Sequence, residues 1–137
     1  MTESNNRQAS VRHHIKRDTA QARAYSQAVV TEGGRIVWLA GQVGAGDAAG
    51  KSLAGDFDGQ VRAVFSRLGQ TLEEAGGTLA DMVTMTVFIT DARYGDRFIQ
   101  LRKEIFGDNF PASALIIVAG LARPEILVEV QGIAILG

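Results

Sequence analysis

Residues 114–118, Ala-Leu-Ile-Ile-Val, carry no polar side chain on either face of an extended chain. Successive side chains of a strand point to opposite faces, so a strand of this composition needs cover on both sides. The turn Phe110-Pro111-Ala112-Ser113 leads into it, and a second strand, Leu127 to Leu136, follows after a short hairpin. In that closing strand Leu127, Glu129, Gln131, Ile133 and Ile135 share one face, and Val128, Val130, Ala134 and Leu136 share the other. Glu129 and Gln131 therefore sit on an otherwise apolar face. A carboxylate there is costly unless it is hydrated, paired or set in a cleft. From the spacing alone a merely wet face and a cleft stand side by side.

The segments upstream supply cover for one face only. Tyr25–Thr31 and Arg35–Val43 read as strands, with Glu32-Gly33-Gly34 between them as a hairpin signal. Asp56 or Asp58 caps a helix running to Ala75, with Val61, Val64, Phe65, Leu68, Leu72 and Ala75 on one stripe and Gly76-Gly77 as its stop. Asp81–Thr90 is a strand with Val83, Met85, Val87 and Ile89 on one side; Phe88 interrupts the polar side. A second helix spans about Gly95 to Phe106, with Phe98, Leu101, Ile105 and Phe106 inward, and Gly107 stops it. The order β-β-α-β-α-β-β predicts an α+β fold, a mixed sheet with two helices on one face. The strand at 114–118 still lacks cover on its second face. A sheet from another copy of the chain is the simplest cover, which predicts a closed homo-oligomer.

A chain of 137 residues suits one domain, and 46% apolar residues exclude a disordered one. A net charge of −1 argues against a dedicated nucleic-acid binder. With no cysteine there is neither a disulfide framework nor thiolate chemistry. No apolar signal region opens the chain and no apolar run approaches membrane length, so a cytoplasmic location and no membrane partner are expected. Arg7, Arg12, Lys16, Arg17 and Arg23, with His13 and His14, make the first residues basic, and a solvated arm is the expectation. The two histidines are adjacent, so on a strand they face opposite ways, and no metal site is expected. The loop at 44–55 contains Gly44-Ala45-Gly46-Asp47-Ala48-Ala49 and Gly50-Lys51-Ser52, which approach dinucleotide and phosphate-loop patterns. Gly50 and Gly55 oppose the helix such motifs must open, so a mobile loop is expected.

Several pieces, in order, carry a resemblance. They are Tyr25 in AYSQAV, the strand end Ala40-Gly41-Gln42, the helix opening near Phe57 with Gln60, and Ala75-Gly76. The strand MVTMTVFITD, the Phe110-Pro111-Ala112 turn and VEVQGIAI complete the set. From about Ile15 onward the chain resembles the RidA/YjgF family, the reactive-intermediate (enamine/imine) deaminases. The resemblance implies a chorismate-mutase-like fold in a homotrimeric barrel, sheets inward and helices outside, with ligand sites in the intersubunit clefts. It implies a single domain over residues 15–137, preceded by residues 1–14 as a flexible arm or added strand. It implies no cofactor, a small-molecule ligand and the chain itself as partners.

Deaminating members convert a 2-imino acid and water into a 2-oxo acid and ammonium. By position, Tyr25 matches the pocket-lining tyrosine, and Glu129 the acid that orients or protonates around the attacking water. These two are the catalytic candidates. Gly41, Gln100, Ser113 and Ala114 are the substrate-binding candidates. The family's usual turn reads Pro-Ala-Arg-Ser, and its Arg grips the substrate carboxylate; here that place is Ser113. Loss of such a partner costs roughly 2–5 kcal/mol. Arg97, Arg102 and Arg123 are candidates for a substitute charge, although exposure at the surface is the expectation for each. Restoring Arg at 113 is then the expected route to imino-acid activity. Two functions compete: hydrolysis of an imine or enamine that need not carry a carboxylate, and small-molecule binding without turnover. Ribonuclease activity, historically attached to the family name, is disfavoured by the charge and the 7% aromatic content.

Overall fold

The structure is a computed structural model and describes residues 10–137. The outer part of the basic arm, residues 1–9, lies outside the described residues. In chain order the elements are β1 (Val11–Ile15), α1 (Asp18–Ala22), β2 (Ala28–Glu32), β3 (Arg35–Val43), α2 (Phe57–Ala75), β4 (Met82–Ile89), α3 (Gly95–Phe106), β5 (Ala112–Ile117) and β6 (Val128–Leu136). Single 3-10 turns, Leu79–Asp81 and Ala92–Tyr94, precede β4 and α3.

Each long helix begins and ends on local chemistry. Asp56 caps α2 by accepting from the Gly59 N–H at 2.9 Å, and Gly76 ends it at φ 97°, a conformation that favours glycine. Val61, Val64, Phe65, Leu68 and Leu72 of α2 pack with Phe98 and Leu101 of α3 onto Met85, Val87, Val128 and Val130 of the sheet. The sheet order is β3-β6-β4-β5, with β4–β5 parallel and the other pairs antiparallel. The α+β class, the mixed sheet and the two helices on one face are as expected. The other face is open: Trp38 is 73% exposed, Ile36 54% and Ile116 42%. No helix among the described residues is long and apolar enough to cross a membrane.

Three local expectations are corrected. β2 and β3 do not form a hairpin: β2 pairs with β1 in a separate two-stranded sheet, and β3 pairs with β6. Gly34 lies so close to β6 that a Cβ there would sit 2.4 Å from the Leu136 carbonyl oxygen. The Gly33-Gly34 link thus delivers β3 onto β6 instead of folding it back on β2. Second, Tyr25 does not open a strand. Its N–H bonds the Ala20 carbonyl at 3.1 Å and Ala24 takes φ 63°, so the chain is still closing α1. Third, the 44–55 loop is tied down. Asp47 accepts from the N–H groups of Ala49 and Lys51 at 2.9 and 2.8 Å, and Arg67 donates to the carbonyls of Val43 and Gly46.

Candidate functional site

The segment after α1 is stapled to the turn before β5. Ser26 Oγ donates to the Phe110 carbonyl at 2.6 Å, and the Ser26 N–H donates to the Pro111 carbonyl at 3.1 Å. Phe110 is buried against Ala24 and Ile99. This staple sets Tyr25 beside Ser113 on the rim of a cavity of about 390 Å³. Arg23 and Tyr25 come from the α1–β2 connection, Ile99 and Arg102 from α3, and Ser113, Leu115 and Ile117 from β5.

Arg102 dominates this cavity's chemistry. It is 2% exposed, which corrects the expectation of a surface arginine. Its Nη1 donates to Ser113 Oγ at 2.7 Å and its Nη2 to the Arg23 carbonyl at 3.2 Å. Its Nε is buried with no partner among the described residues. The Phe98 ring centroid lies 5.0 Å from Cζ, a cation–π arrangement. Among the described residues no carboxylate forms an ion pair with it. Burial holds its pKa down to about 10; the Arg23 charge adds to the lowering and Tyr25 opposes it. At neutral pH the guanidinium is still charged.

A second group of candidates lies elsewhere. Ser113 pairs with Met85, whose side chain is in the core beneath the helices. Glu129 pairs with Phe88, one step along β4 from the core residues Val87 and Ile89. Alternation along the strands therefore puts Ser113 on the helix face and Glu129 on the open face. β3 carries a bulge between Leu39 and Gln42, and there the Glu129 carboxylate lies over Gly41. A Cβ at Gly41 would stand 2.3 Å from Glu129 Oε2, so glycine is what leaves the carboxylate its place. Ala114 is exposed and pairs with Thr86, which pairs with Gln131, so it belongs to the open face too. Gln100 joins neither group. It is exposed on α3, is absent from the cavity lining, and accepts from Arg97 Nη1 at 3.0 Å.

Within one chain, Tyr25 and Ser113 are thus brought together, Glu129 and Gly41 are brought together, and the sheet separates the pairs. Arg23 is the charged site residue that sequence reasoning missed; Arg102 is one of the three arginines that the sequence offers as a substitute charge, but with the surface as its expected place. The signal for Arg102 was its place four residues after Phe98, inside the inward stripe that runs through Leu101 to Ile105. No group of three or more His, Cys, Asp or Glu that could hold a metal ion occurs among the described residues.

A family profile described as Endoribonuclease L-PSP matches residues 15–136. A RutC family protein of Pyrococcus abyssi is 32% identical over 80% of this chain and 84% of its own. The human 2-iminobutanoate/2-iminopropanoate deaminase is 29% identical over 82% of this chain and 80% of its own. Among solved structures, a conserved Rid-family protein of Yersinia pestis, YyfB, matches with a TM-score of 0.81 at 29% identity, covering 91% of this chain and 98% of the other.

Proposed function

Because the chain belongs to the RidA/YjgF family, we propose that it hydrolyses a reactive imine or enamine in clefts formed where copies of the chain meet in a homotrimer. Water adds to the C=N carbon, the C–N bond of the adduct breaks, and a carbonyl compound and ammonium leave. Glu129 orients the water and passes its proton toward the departing nitrogen. Tyr25 of a neighbouring copy walls the cavity that holds the rest of the substrate. The observation that carries this reading is the lodging of the Glu129 carboxylate against Gly41, within an apolar face and without an ion pair among the described residues. A carboxylate kept unpaired there is available as a base. Its separation from the Tyr25–Ser113 cavity by the sheet is the reason for placing the reaction between copies.

The human relative's name, 2-iminobutanoate/2-iminopropanoate deaminase, agrees with this reaction class. The test is a coupled ammonium assay on a panel of imines, with wild type and Glu129→Gln compared. Wild type should release ammonium above the uncatalysed rate, and the variant should lose at least about a hundredfold, the lower end of one group's acid–base contribution being about 10². Loss of the Arg at 113 favours a second reading, a trimer that binds a small metabolite without turnover. Saturable ligand binding with no ammonium release from a folded wild type would select it.

A further inference from the structure

We propose that Arg102 is the anion-binding residue of the cavity between α3 and β5, and that the ligand this cavity takes carries a carboxylate. The inference deepens the functional reading above by naming the substrate class, and it rests on that reading only for the place of the site.

Buried arginines are normally matched by an acid, because a desolvated charge without a partner is expensive. Arg102 is buried, has no acid among the described residues, and leaves its Nε without an acceptor. Both acceptors it does have are neutral, the Ser113 hydroxyl and the Arg23 carbonyl. The cavity is therefore positively charged and short of acceptors. Arg23 strengthens this: its guanidinium is half exposed at the rim, and its one ion pair among the described residues, to Asp96, is loose at 3.9 Å. A cationic ligand has no place here. An anion with two oxygens in a plane suits a guanidinium fork, and the Ser113 hydroxyl, while accepting from Arg102, spends its own proton only on a long 3.5 Å contact to the Ala114 carbonyl and can turn it to such a ligand. Ile99, Leu115 and Ile117 supply an apolar wall for the rest of the molecule and lower the local dielectric, which strengthens the ion pair. The charge that Ser113 lacks on β5 is thus present in the same cavity on the neighbouring helix.

The test measures binding and leaves turnover aside. The full chain is titrated calorimetrically with 2-oxobutanoate and with its neutral amide. Wild type should bind the acid at least tenfold more tightly than the amide. Arg102→Met should lose at least tenfold in affinity for the acid, and Arg102→Lys should keep part of it. Ser113→Asp keeps Arg102 and plants a carboxylate where the hydroxyl stands. It should abolish acid binding and raise the melting temperature, because the buried guanidinium gains its missing partner. That variant decides the matter if Arg102→Met fails to fold. Equal affinity for acid and amide, wild-type affinity in folded Arg102→Met or Ser113→Asp, or no saturable binding by wild type would each overturn the proposal. Acid binding that depends on Arg102 without any ammonium release would leave this inference standing and remove the hydrolase reading.

Discussion

Ser113 and Arg102 are in hydrogen-bond contact, and that contact reverses the expected effect of a substitution at 113. Considered on β5 alone, Ser113→Arg restores a missing charge. With Arg102 Nη1 already 2.7 Å from Ser113 Oγ, it forces a second guanidinium against the first. Two like charges about 4 Å apart at an effective dielectric of about 20 repel by ~4 kcal/mol before the side chains relax. Ser113→Arg should therefore lower the melting temperature and fail to tighten carboxylate binding. The exchange variant, Arg102→Ser with Ser113→Arg, carries one guanidinium again and should recover both properties to within about tenfold in affinity. A single variant as stable as wild type and tighter for the acid would contradict this account of the cavity's charge. Arg102 was hard to read in the sequence because its burial is decided by partners 11 and 79 residues away. Tyr25 and Ser113, by contrast, sit in short local signatures, and the structure sets both on the cavity.

At the scale of elements, α2 and α3 are joined by one well-formed ion pair. Arg97 Nε lies 2.9 and 3.0 Å from the two carboxylate oxygens of Asp58, in the first turn of α2. The Arg97 hydrogen bond is the main reason the Asp58 pKa falls below its ordinary value; burial opposes it, and the Arg97 and Arg62 charges add to it. A carboxyl with a lowered folded pKa contributes stability above the ordinary value, and that contribution is lost as pH falls through the folded one. Both side chains are a third or more exposed, so solvent screens the pair and its contribution is small. Asp58→Asn should lower the melting temperature by about 3 °C at pH 7. The gap between variant and wild type should close as pH falls below about 4; a gap that persists at pH 2 would place the effect in something other than this charge. These helices were legible because capping and stripe periodicity are local. The partner of β2 was not, since a two-glycine link is compatible with a hairpin and with a change of sheet. Contact between Gly34 and Leu136, at the far end of the chain, decides between them.

For the whole molecule, the open sheet face is the feature that most needs a partner. Fully burying an exposed Ile or Trp side chain contributes roughly 1.5–3 kcal/mol or more, and Ile36, Trp38 and Ile116 all stand on this face with Glu129 among them. Ile117, 53% exposed, stands on the other side of edge strand β5, at the mouth of the cavity. An assembly that covers the open face of one copy with the β5 edge of the next would bring the Glu129 of one to the Arg102 cavity of the other. Light scattering should then report three copies, and neither catalytic half should function alone. Glu129→Gln keeps the cavity and lacks the carboxylate; Arg102→Met keeps the carboxylate and lacks the anion site. Each alone should be nearly inert in the ammonium assay. When the two are co-expressed and assembled at random, a site built across two copies receives its intact cavity from the first variant half the time and its intact carboxylate from the second half the time, so about a quarter of the wild-type rate should return. A site contained within one chain would recover nothing in any mixture. Recovered activity with the mass of a trimer therefore supports a shared cleft, and a mixture as inert as its parts, with each variant folded and trimeric, would return the site to a single copy and leave Glu129 outside it.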